Sequence, residues 1–255
     1  MEDIIISTSA AGASLKTLAI VPVFRDSKTI TGVIRGFQPG LVTEVCVVVD
    51  SPNRNTIDQI TDAGRAAGIP LTVITNPIRK GIGHAIRQGY QYALSNGFDL
   101  IVVMAGNGKD DPKEIPRLTE PILKVGYDYV QGSRFLPGGR RVRNPFLRRI
   151  FTRLFPILWT WTTGVRCTDV TNGFRAYRTD VLKSPQINVW QDWLNEYQLE
   201  YYLHYKILTL GYKFTGRPVS KVYPTERRGN TQISPFKDWW QIVGPIVLLK
   251  MKART

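Results

Sequence analysis

Four short apolar runs in the first half of this 255-residue chain constrain its fold most strongly. Runs in which successive residues are apolar are typical of strands that are covered on both faces. The predicted strands cover residues 17–23, 42–50, 71–75 and 100–104. Helical patterns separate them at residues 27–36, 56–67 and 83–95. Because strands that alternate with helices pair in parallel through helical crossovers, the sequence predicts an α/β, Rossmann-like fold with a central, mostly parallel sheet.

The second half of the chain carries further helix and strand signals. The run Asp111-Pro112-Lys113-Glu114 predicts a helix that extends to about residue 124, with Asp111 as its cap and Glu114 reaching back to the amide of the cap. Further strands are predicted at residues 127–132, 174–177 and 212–223, and further helices at 145–155, 190–210 and 236–252. We expect an N-terminal extension over residues 1–16, one domain over 17–233 and a C-terminal amphipathic helix within 234–255.

The charge balance indicates an anionic partner. Lys and Arg total 34 against 20 Asp and Glu, a formal net charge of +14. Such an excess suits nucleic acid, an anionic membrane or phosphorylated substrates. No aromatic RNA-reading signature appears, so we expect no nucleic-acid partner. Neither His84 nor His204 has a recognisable catalytic setting.

The cysteines and the N-terminus bear on the cellular setting. Cys46 and Cys167 lack the partner spacing of a metal knuckle or a redox pair, which favours two free thiols in a reducing cytosol. The N-terminus, MEDIIISTSAAGASLK, lacks the basic flank and the long apolar core of a signal peptide. No window reaches the roughly 18 uncharged apolar residues that a spanning helix needs. We expect a cytoplasmic protein that is soluble or lies on a membrane surface.

Seven fragments, read in order, carry a resemblance to a known family. They are VPVFRD (21–26), VVVDS (47–51), RKGIGHAIRQG (79–89), the loop over 100–112, QGSRF (131–135), NPFLRRIFTRLF (144–155) and DVTNGFRAYR (169–178). In this order and spacing the chain resembles the family 2 glycosyltransferases of the GT-A fold, most closely the dolichyl-phosphate and polyprenyl-phosphate sugar transferases. The resemblance implies an inverting enzyme that moves one sugar from a UDP- or GDP-linked donor to a polyprenyl phosphate at the cytoplasmic face of a membrane.

By this resemblance, the donor nucleoside lies at the ends of the first two strands. Pro22, Phe24 and Asp26 fall where the family has Pro, Tyr and Glu, and Asp50 falls at the strand end that holds the nucleoside. A carboxylate at the C-terminal end of a strand can accept hydrogen bonds from a base or a ribose. From the residues alone, Asp50 could equally start a turn, and Phe24 could belong to the core.

The donor phosphates have further candidate contacts. Lys80 and Gly81 belong to a run, RKGIG, in which glycines let backbone amides approach a phosphate at a helix N-terminus. The same residues are also typical of an ordinary helix start with an exposed lysine. Arg228 lies in a segment, RRGNT, that resembles a mobile loop closing over the donor, and a basic surface loop is the alternative.

The loop after the fourth strand decides the mechanism. Relatives carry Asp-x-Asp there, which holds Mg²⁺ or Mn²⁺ on the donor diphosphate, whereas this chain has Ala105 and Asn107 as the donor-side residues. In one interpretation, Lys109 neutralises the leaving phosphate without a metal. In the other, which we favour, Asp110 and Asn107 coordinate the ion, because diphosphate leaving groups commonly need a divalent cation. Asp110, Lys109 and Arg134 are the predicted catalytic residues.

An arginine clamp is predicted for the acceptor phosphate. Its members are Ser133, Arg134, Arg148 and Thr152. Arginine forks suit bidentate phosphate contacts, and a phosphomonoester, with a second pKa of about 6, needs no strong general base. The resemblance places Asp169 and Asn172 in a loop beneath the transferred sugar, where Asp169 binds sugar hydroxyls or orients an acceptor arginine. A turn stabilised by Asp and Gly is the alternative.

Two segments, residues 148–161 and 236–252, combine apolar and aromatic residues with cations. This composition suits peripheral contact with an anionic membrane. Core helices or the surface of a homo-oligomer explain it as well. Two rival functions stay open: transfer to a glycan hydroxyl, which requires a general base, and a catalytically silent subunit that binds a nucleotide sugar.

Overall fold

The computed structural model describes residues 15–24, 27–142, 146–223 and 239–251, which form an α/β fold. The strands are β1 (Thr17–Phe24), β2 (Glu44–Asp50), β3 (Leu71–Asn76), β4 (Leu100–Val103), β5 (Tyr129–Ser133), β6 (Arg140–Val142), β7 (Arg175–Arg178), β8 (Phe214–Pro218) and β9 (Ser220–Val222). The helices are α1 (Ser27–Arg35), α2 (Arg54–Ala67), α3 (Ile82–Ser95), α4 (Ile115–Glu120), α5 (Phe146–Thr163), α6 (Gln198–Thr209) and α7 (Trp239–Lys250).

The large sheet has the strand order β3-β2-β1-β4-β7-β5-β8, and a small parallel pair joins β6 to β9. β1 to β4 run parallel, and only β7 is antiparallel to its neighbours. The chain moves outward from β1 to β3 and then returns to place β4 on the other side of β1. This reversal is a topological switch point, and the carboxyl ends of β1 and β4 flank the crevice in which open α/β sheets bind ligands.

Both faces of the large sheet are covered, which confirms the prediction made from the apolar runs. Along β1, Leu18 and Ile20 belong to the core on one face, and Ala19 and Val21 to the core on the other. All four side chains are fully buried. Helix α3 packs so closely on the first face that a Cβ added at Gly89 would lie 2.5 Å from Ile20 Cγ2.

The helix start at Asp111 is confirmed, but the helix that follows is broken into three pieces. The Asp111 side chain accepts a hydrogen bond of 3.0 Å from the Lys113 amide. A 3₁₀ turn (Pro112–Glu114) precedes α4, and a π-helical segment (Pro121–Val125) follows it. Pro121 ends the regular α-helix because proline has no amide hydrogen to donate.

Glu114 does not reach back to the amide of the cap, so that part of the prediction was wrong. Its Oε2 accepts a hydrogen bond of 2.7 Å from the Ser220 amide, and its Oε1 pairs with Arg117 at 2.8 Å. Glu114 therefore connects the start of α4 to β9 instead of closing a local capping box.

Three predicted elements differ in extent from the structure. The helix predicted at 145–155 continues as α5 to Thr163. The helix predicted at 190–210 begins only at Gln198, because the carbonyl of Asn195 turns aside to accept the His84 amide at 3.1 Å. The strand predicted at 212–223 divides into β8 and β9, which belong to different sheets.

The last helix packs on the body of the domain. Ile246 and Leu249 of α7 are buried at 3% and 7% exposure, and Ile246 shares an apolar cluster with Trp159 and Tyr201. The boundary predicted at 233/234 falls in residues 224–238, outside the described part of the chain. Among the helices of the described residues, none combines the length and apolarity required to cross a membrane.

Candidate active site

The switch point brings several segments of the chain together. The loop after β4, residues 104–111 (the β4 loop), lies against β1, because the Gly106 amide donates to the Pro22 carbonyl at 3.4 Å. A Cβ at Gly106 would lie 2.5 Å from a β1 side chain, so this approach requires glycine. On the other side, the Val222 amide donates to the Lys109 carbonyl at 3.0 Å and brings the end of β9 to the loop.

The β4 loop is closed by its own polar side chains. Asp110 Oδ2 accepts the Ala105 amide at 3.1 Å, and Asn107 Oδ1 accepts the Lys109 amide at 3.3 Å. Asn107 is exposed, whereas Lys109 and Asp110 are buried at 3% and 4% exposure. Asp110 therefore has a local structural role that sequence reasoning did not assign to it.

A buried lysine that sequence reasoning missed pairs with Asp110. Lys221 Nζ lies 2.9 Å from Asp110 Oδ1 and also donates to Asn172 Oδ1 at 2.9 Å. Lys221 alternates with Val219 and Tyr223, which are both buried. That period-two pattern places the lysine on the buried face of β9, and it is the signal from which Lys221 could have been found.

Lys109 adds a second cation to the same region. Its ammonium nitrogen lies 5.5 Å from the centroid of the Tyr223 ring, within the range of a cation–π contact. The Tyr223 hydroxyl accepts a hydrogen bond of 2.8 Å from Arg134 Nη1. Tyr223 thus connects the lysine of the β4 loop to the arginine at the end of β5.

Arg134 and Asp169 form a buried bidentate ion pair. Arg134 Nε and Nη2 donate to Asp169 Oδ2 and Oδ1, both at 2.7 Å, and the Arg134 amide donates to Oδ2 at 3.0 Å. Burial opposes the charge of Arg134, but the Asp169 carboxylate outweighs it, so the pKa of the guanidinium lies above its ordinary value. The roles of both residues toward the acceptor stay predictions.

The other two residues predicted beside the acceptor hold loops in place. Asn172 is fully buried, and its Nδ2 donates to the Gly132 carbonyl at 3.0 Å. Ser133 is also fully buried, and its Oγ accepts the Thr168 hydroxyl at 2.8 Å. These contacts attach the 169–173 loop and the preceding residue, Thr168, to the end of β5.

Asp50 ties the β3–α3 turn to the end of β2. Its Oδ1 accepts Asn76 Nδ2 at 2.6 Å, and its Oδ2 accepts the amides of Lys80 and Gly81 at 3.1 and 3.0 Å. Asp50 is buried at 3% exposure. The nucleoside contact predicted for Asp50 stays a prediction.

The glycines at the start of α3 accommodate a neighbouring loop. A Cβ at Gly81 would lie 2.4 Å from the Asn195 carbonyl oxygen, and a Cβ at Gly83 would lie 2.2 Å from that of Leu194. The Gly81 backbone also has φ of 99°, which favours glycine. The amides of Lys80 and Gly81 are thus bonded to Asp50 and that of His84 to Asn195, while the side chain of Lys80 is exposed.

Several predicted residues stand apart from this cluster or outside the description. The Phe24 ring, at the carboxyl end of β1, lies 5.4 Å from the Arg79 guanidinium. Asp26 and Arg228 lie outside the described residues. Arg148 and Thr152 lie on α5, but their side chains are likewise outside the description.

The profile of glycosyl transferase family 2 matches residues 19–184, which contain most of β1, all of β2 to β7, the β4 loop and the 169–173 loop. The chain belongs to this family. The family 2 chain is 27% identical over 170 residues to an undecaprenyl-phosphate mannosyltransferase of Micrococcus luteus, covering 67% of this chain and 69% of that protein. It is 29% identical over 175 residues to a polyprenol monophosphomannose synthase of Mycolicibacterium smegmatis, covering 66% of this chain and 63% of that protein.

A solved structure confirms the GT-A fold of this family 2 glycosyltransferase. Glucosyl-3-phosphoglycerate synthase from Mycobacterium tuberculosis, in complex with Mn²⁺, UDP-glucose and phosphoglyceric acid, superposes with a TM-score of 0.66. The sequences are 17% identical, and the match covers 94% of this chain and 80% of that chain.

The side chains of the family 2 chain's β4 loop do not fit the divalent ion that we expected at Asn107 and Asp110. Asp110 already binds the Lys221 ammonium and the Ala105 amide, and Asp111 caps the following turn. Within the described ranges, no group of three His, Cys, Asp or Glu side chains is arranged to hold a metal. A dication at Asp110 would lie against an ammonium group, and like charges at such a distance repel strongly.

One of the two histidines, His204, lies in the interior of the family 2 chain. His204 is fully buried on α6, with Nδ1 2.8 Å from the Tyr129 hydroxyl and Nε2 3.1 Å from Cys167 Sγ. Burial, reinforced by the charge of Arg175, places the pKa of His204 well below its ordinary value. His204 is therefore a neutral core residue.

Proposed function

We propose that the protein transfers one sugar from a nucleotide-diphosphate donor to a polyprenyl phosphate, with inversion, at the cytoplasmic face of a membrane. The two relatives described above are named for undecaprenyl-phosphate and polyprenol substrates. The family match over residues 19–184 includes the β4 loop and the 169–173 loop. The names of those relatives support mannose as one candidate sugar, and the UDP or GDP linkage of the donor stays open.

The cation excess at the switch point is the observation that carries the proposal. Among the described residues, three buried cations, Lys109, Lys221 and Arg134, meet two buried carboxylates there, Asp110 and Asp169, and each carboxylate lies against a cation. A site with this balance favours substrates that bring phosphate groups. Both buried carboxylates are held by cations, so neither suits the role of the general base that a glycan hydroxyl would need.

The proposed reaction is a single in-line displacement. An oxygen of the acceptor phosphate, already charged at neutral pH, forms a bond to the anomeric carbon of the sugar. The bond from that carbon to the diphosphate oxygen breaks, and the nucleoside diphosphate leaves with the electron pair. Amino and guanidinium groups held in place before the reaction stabilise the charge that develops on the leaving oxygen.

An exposed apolar stripe on α5 supports contact with a membrane. Leu154, Ile157, Leu158 and Trp161 are 58%, 65%, 39% and 76% exposed, whereas Trp159 on the opposite side is fully buried. Their spacing places the four on one face of the helix. The Lys250 ammonium lies 4.5 Å from the Trp161 ring centroid, so a cation borders the stripe. Aromatic and aliphatic side chains beside a cation suit the headgroup boundary of an anionic bilayer.

A product assay tests the proposed reaction. The purified chain is incubated with a panel of UDP- and GDP-linked sugars and undecaprenyl phosphate in anionic lipid vesicles, with free oligosaccharides as competing acceptors. We expect a sugar-linked lipid phosphate from one donor. Transfer to oligosaccharides alone would support the glycan-hydroxyl alternative, and donor binding without any product would support a silent binding subunit.

Two pairs of variants test the acceptor clamp and the membrane surface. Arg148→Ala should reduce transfer sharply and spare donor binding, whereas Arg65→Ala, at a distant exposed site on α2, should change neither.

Trp161→Glu should release the protein from anionic vesicles in a sedimentation assay, whereas Trp190→Glu, at another exposed tryptophan, should not. Equal effects within either pair would contradict the corresponding assignment. A change of oligomeric state in Trp161→Glu would instead assign the stripe to contacts between copies of the chain.

A further inference from the structure

Lys221 has the contacts that a bound cation would make at the switch point. Its ammonium joins the Asp110 carboxylate in the β4 loop to the Asn172 side-chain oxygen in the 169–173 loop, at 2.9 Å in each case. The Asp110 side chain has no exposed surface, while that of Lys221 keeps 11%. The amino group therefore shields the carboxylate of Asp110 from incoming cations.

Lys109 gives the same loop a second positive charge. It is buried at 3% exposure, two residues beyond Asn107, and its ammonium lies over the Tyr223 ring. Arg134 does not add to this charge, because Asp169 neutralises it within the bidentate pair. Among the described residues, the buried groups Lys109, Lys221 and Asp110 together carry one net positive charge, while Asp111 is exposed and caps the following turn. A metal site of two carboxylates and a dication carries none, so these three buried groups offer a diphosphate more positive charge without an ion.

We propose that Lys221 and Lys109 take the place of a divalent metal ion beneath the donor diphosphate, so that this transferase binds and uses its donor without one. The inference rests on the proposed function, because it assumes a nucleotide-diphosphate donor. In this arrangement, Asp110 is a positioning residue that fixes Lys221, and the two lysines are the groups that contact the diphosphate. Lysine suits this role, because a compact ammonium group on a flexible stem can follow a phosphate oxygen that moves as the leaving bond breaks.

Nucleotide binding measured without turnover provides the first test. UDP and GDP are titrated by calorimetry into the full chain in excess EDTA, and then with Mg²⁺ or Mn²⁺ in place of the chelator. We expect one of the two nucleotides to bind with an affinity that changes less than twofold between these conditions. A loss of affinity of tenfold or more in EDTA would overturn the inference and leave the proposed function standing. Failure of both nucleotides to bind in any condition would overturn both.

A matched pair of lysine variants provides the second test. Lys221→Met keeps the length of the side chain and removes its charge, and it should weaken binding of the nucleotide at least tenfold in EDTA. Lys183→Met, in an exposed ion pair with Asp180, should bind as the parent chain does. Circular dichroism and the unfolding temperature establish that each variant is folded. Lys221→Arg, which keeps the charge, should recover most of the affinity if charge is what matters, and no recovery would contradict the inference.

Electron paramagnetic resonance of Mn²⁺ tests whether an ion or Lys221 occupies the position beside Asp110. The electron paramagnetic resonance signal of free Mn²⁺ is followed while the parent chain is added with the nucleotide that binds. The parent chain should leave the signal at the level of a nucleotide-only sample, whereas Lys221→Met, which frees Asp110, should reduce it. If the parent chain reduces the signal and Asp110→Asn does not, the ion binds at Asp110. That result would refute the lysine assignment.

Discussion

Replacing Asp169 by asparagine should lower the free energy of unfolding by about 3 to 5 kcal/mol, because it leaves a buried guanidinium without its counter-charge. Asp169 has no exposed surface, and the Arg134 side chain keeps only 2%. The pair thus has almost no access to water that could replace the lost carboxylate charge.

The magnitude follows from the hydrogen bonds of the pair. Asparagine keeps one acceptor oxygen, which can retain the bonds from the Arg134 amide and Nε. Its amide nitrogen then faces Arg134 Nη2, so the charged bond of 2.7 Å at that position is lost. A hydrogen bond to a charged group contributes about 1.5 to 3 kcal/mol, and the uncompensated buried charge accounts for the remainder. In a chain of this size the sum corresponds to a fall in unfolding temperature of about 6 to 10 °C.

Urea unfolding, followed by tryptophan fluorescence and far-ultraviolet circular dichroism, measures this effect. Asp62→Asn is the matched control, because Asp62 and Arg65 also form an ion pair of 2.9 Å but with side chains that are 70% and 75% exposed. The control should change the free energy of unfolding by less than about 0.5 kcal/mol, since exposed pairs contribute little. Equal losses in the two variants, or a loss below about 1 kcal/mol in Asp169→Asn, would refute the argument from burial.

Further predictions concern packing and pH. Gly89→Ala should lower the free energy of unfolding by about 1 to 3 kcal/mol, because its Cβ would lie 2.5 Å from Ile20. Gly32→Ala, where a Cβ would meet no atom within 4 Å, should raise it by about 0.5 to 1 kcal/mol. If both variants are more stable in urea unfolding, the close packing of α3 is contradicted. Burial raises the pKa of Cys46 and of Cys167 to about 12, so a thiol reagent at pH 8 should label neither in the native chain and both in denaturant. Because the thiols ionise at lower pH in the unfolded chain, the free energy of unfolding should fall as the pH rises from 9.0 towards 12. Rapid labelling of either thiol in the native chain would contradict the burial of these groups.

The central sheet could be predicted because its signal is local in the sequence. Every residue of β4 is buried, so the letters LIVV report burial on both faces directly. The Asp111 cap is equally local, since its partner amide is only two residues away. Asn195 shows the limit of such signals: its carbonyl bonds to the His84 amide across the fold, and no helical periodicity near residue 195 reveals that contact.

The composition of the candidate site could also be predicted, but the partners of its charges could not. Lys109, Asp110, Arg134 and Asp169 were all expected there from motif order. Their pairing depends on which segments meet at the switch point. Lys221 reaches Asp110 because the chain leaves the large sheet after β8 and β9 then pairs with β6.

The sequence by itself therefore determined the family, the parallel sheet and the cationic character of the site, because each of these is recorded in short runs of neighbouring residues. Only the tertiary structure decided that Asp110 is bound by Lys221 and Arg134 by Asp169, pairs whose members are far apart in the sequence. A buried charge must be matched wherever the fold places it, and its partner is set by spatial distance and not by distance along the chain.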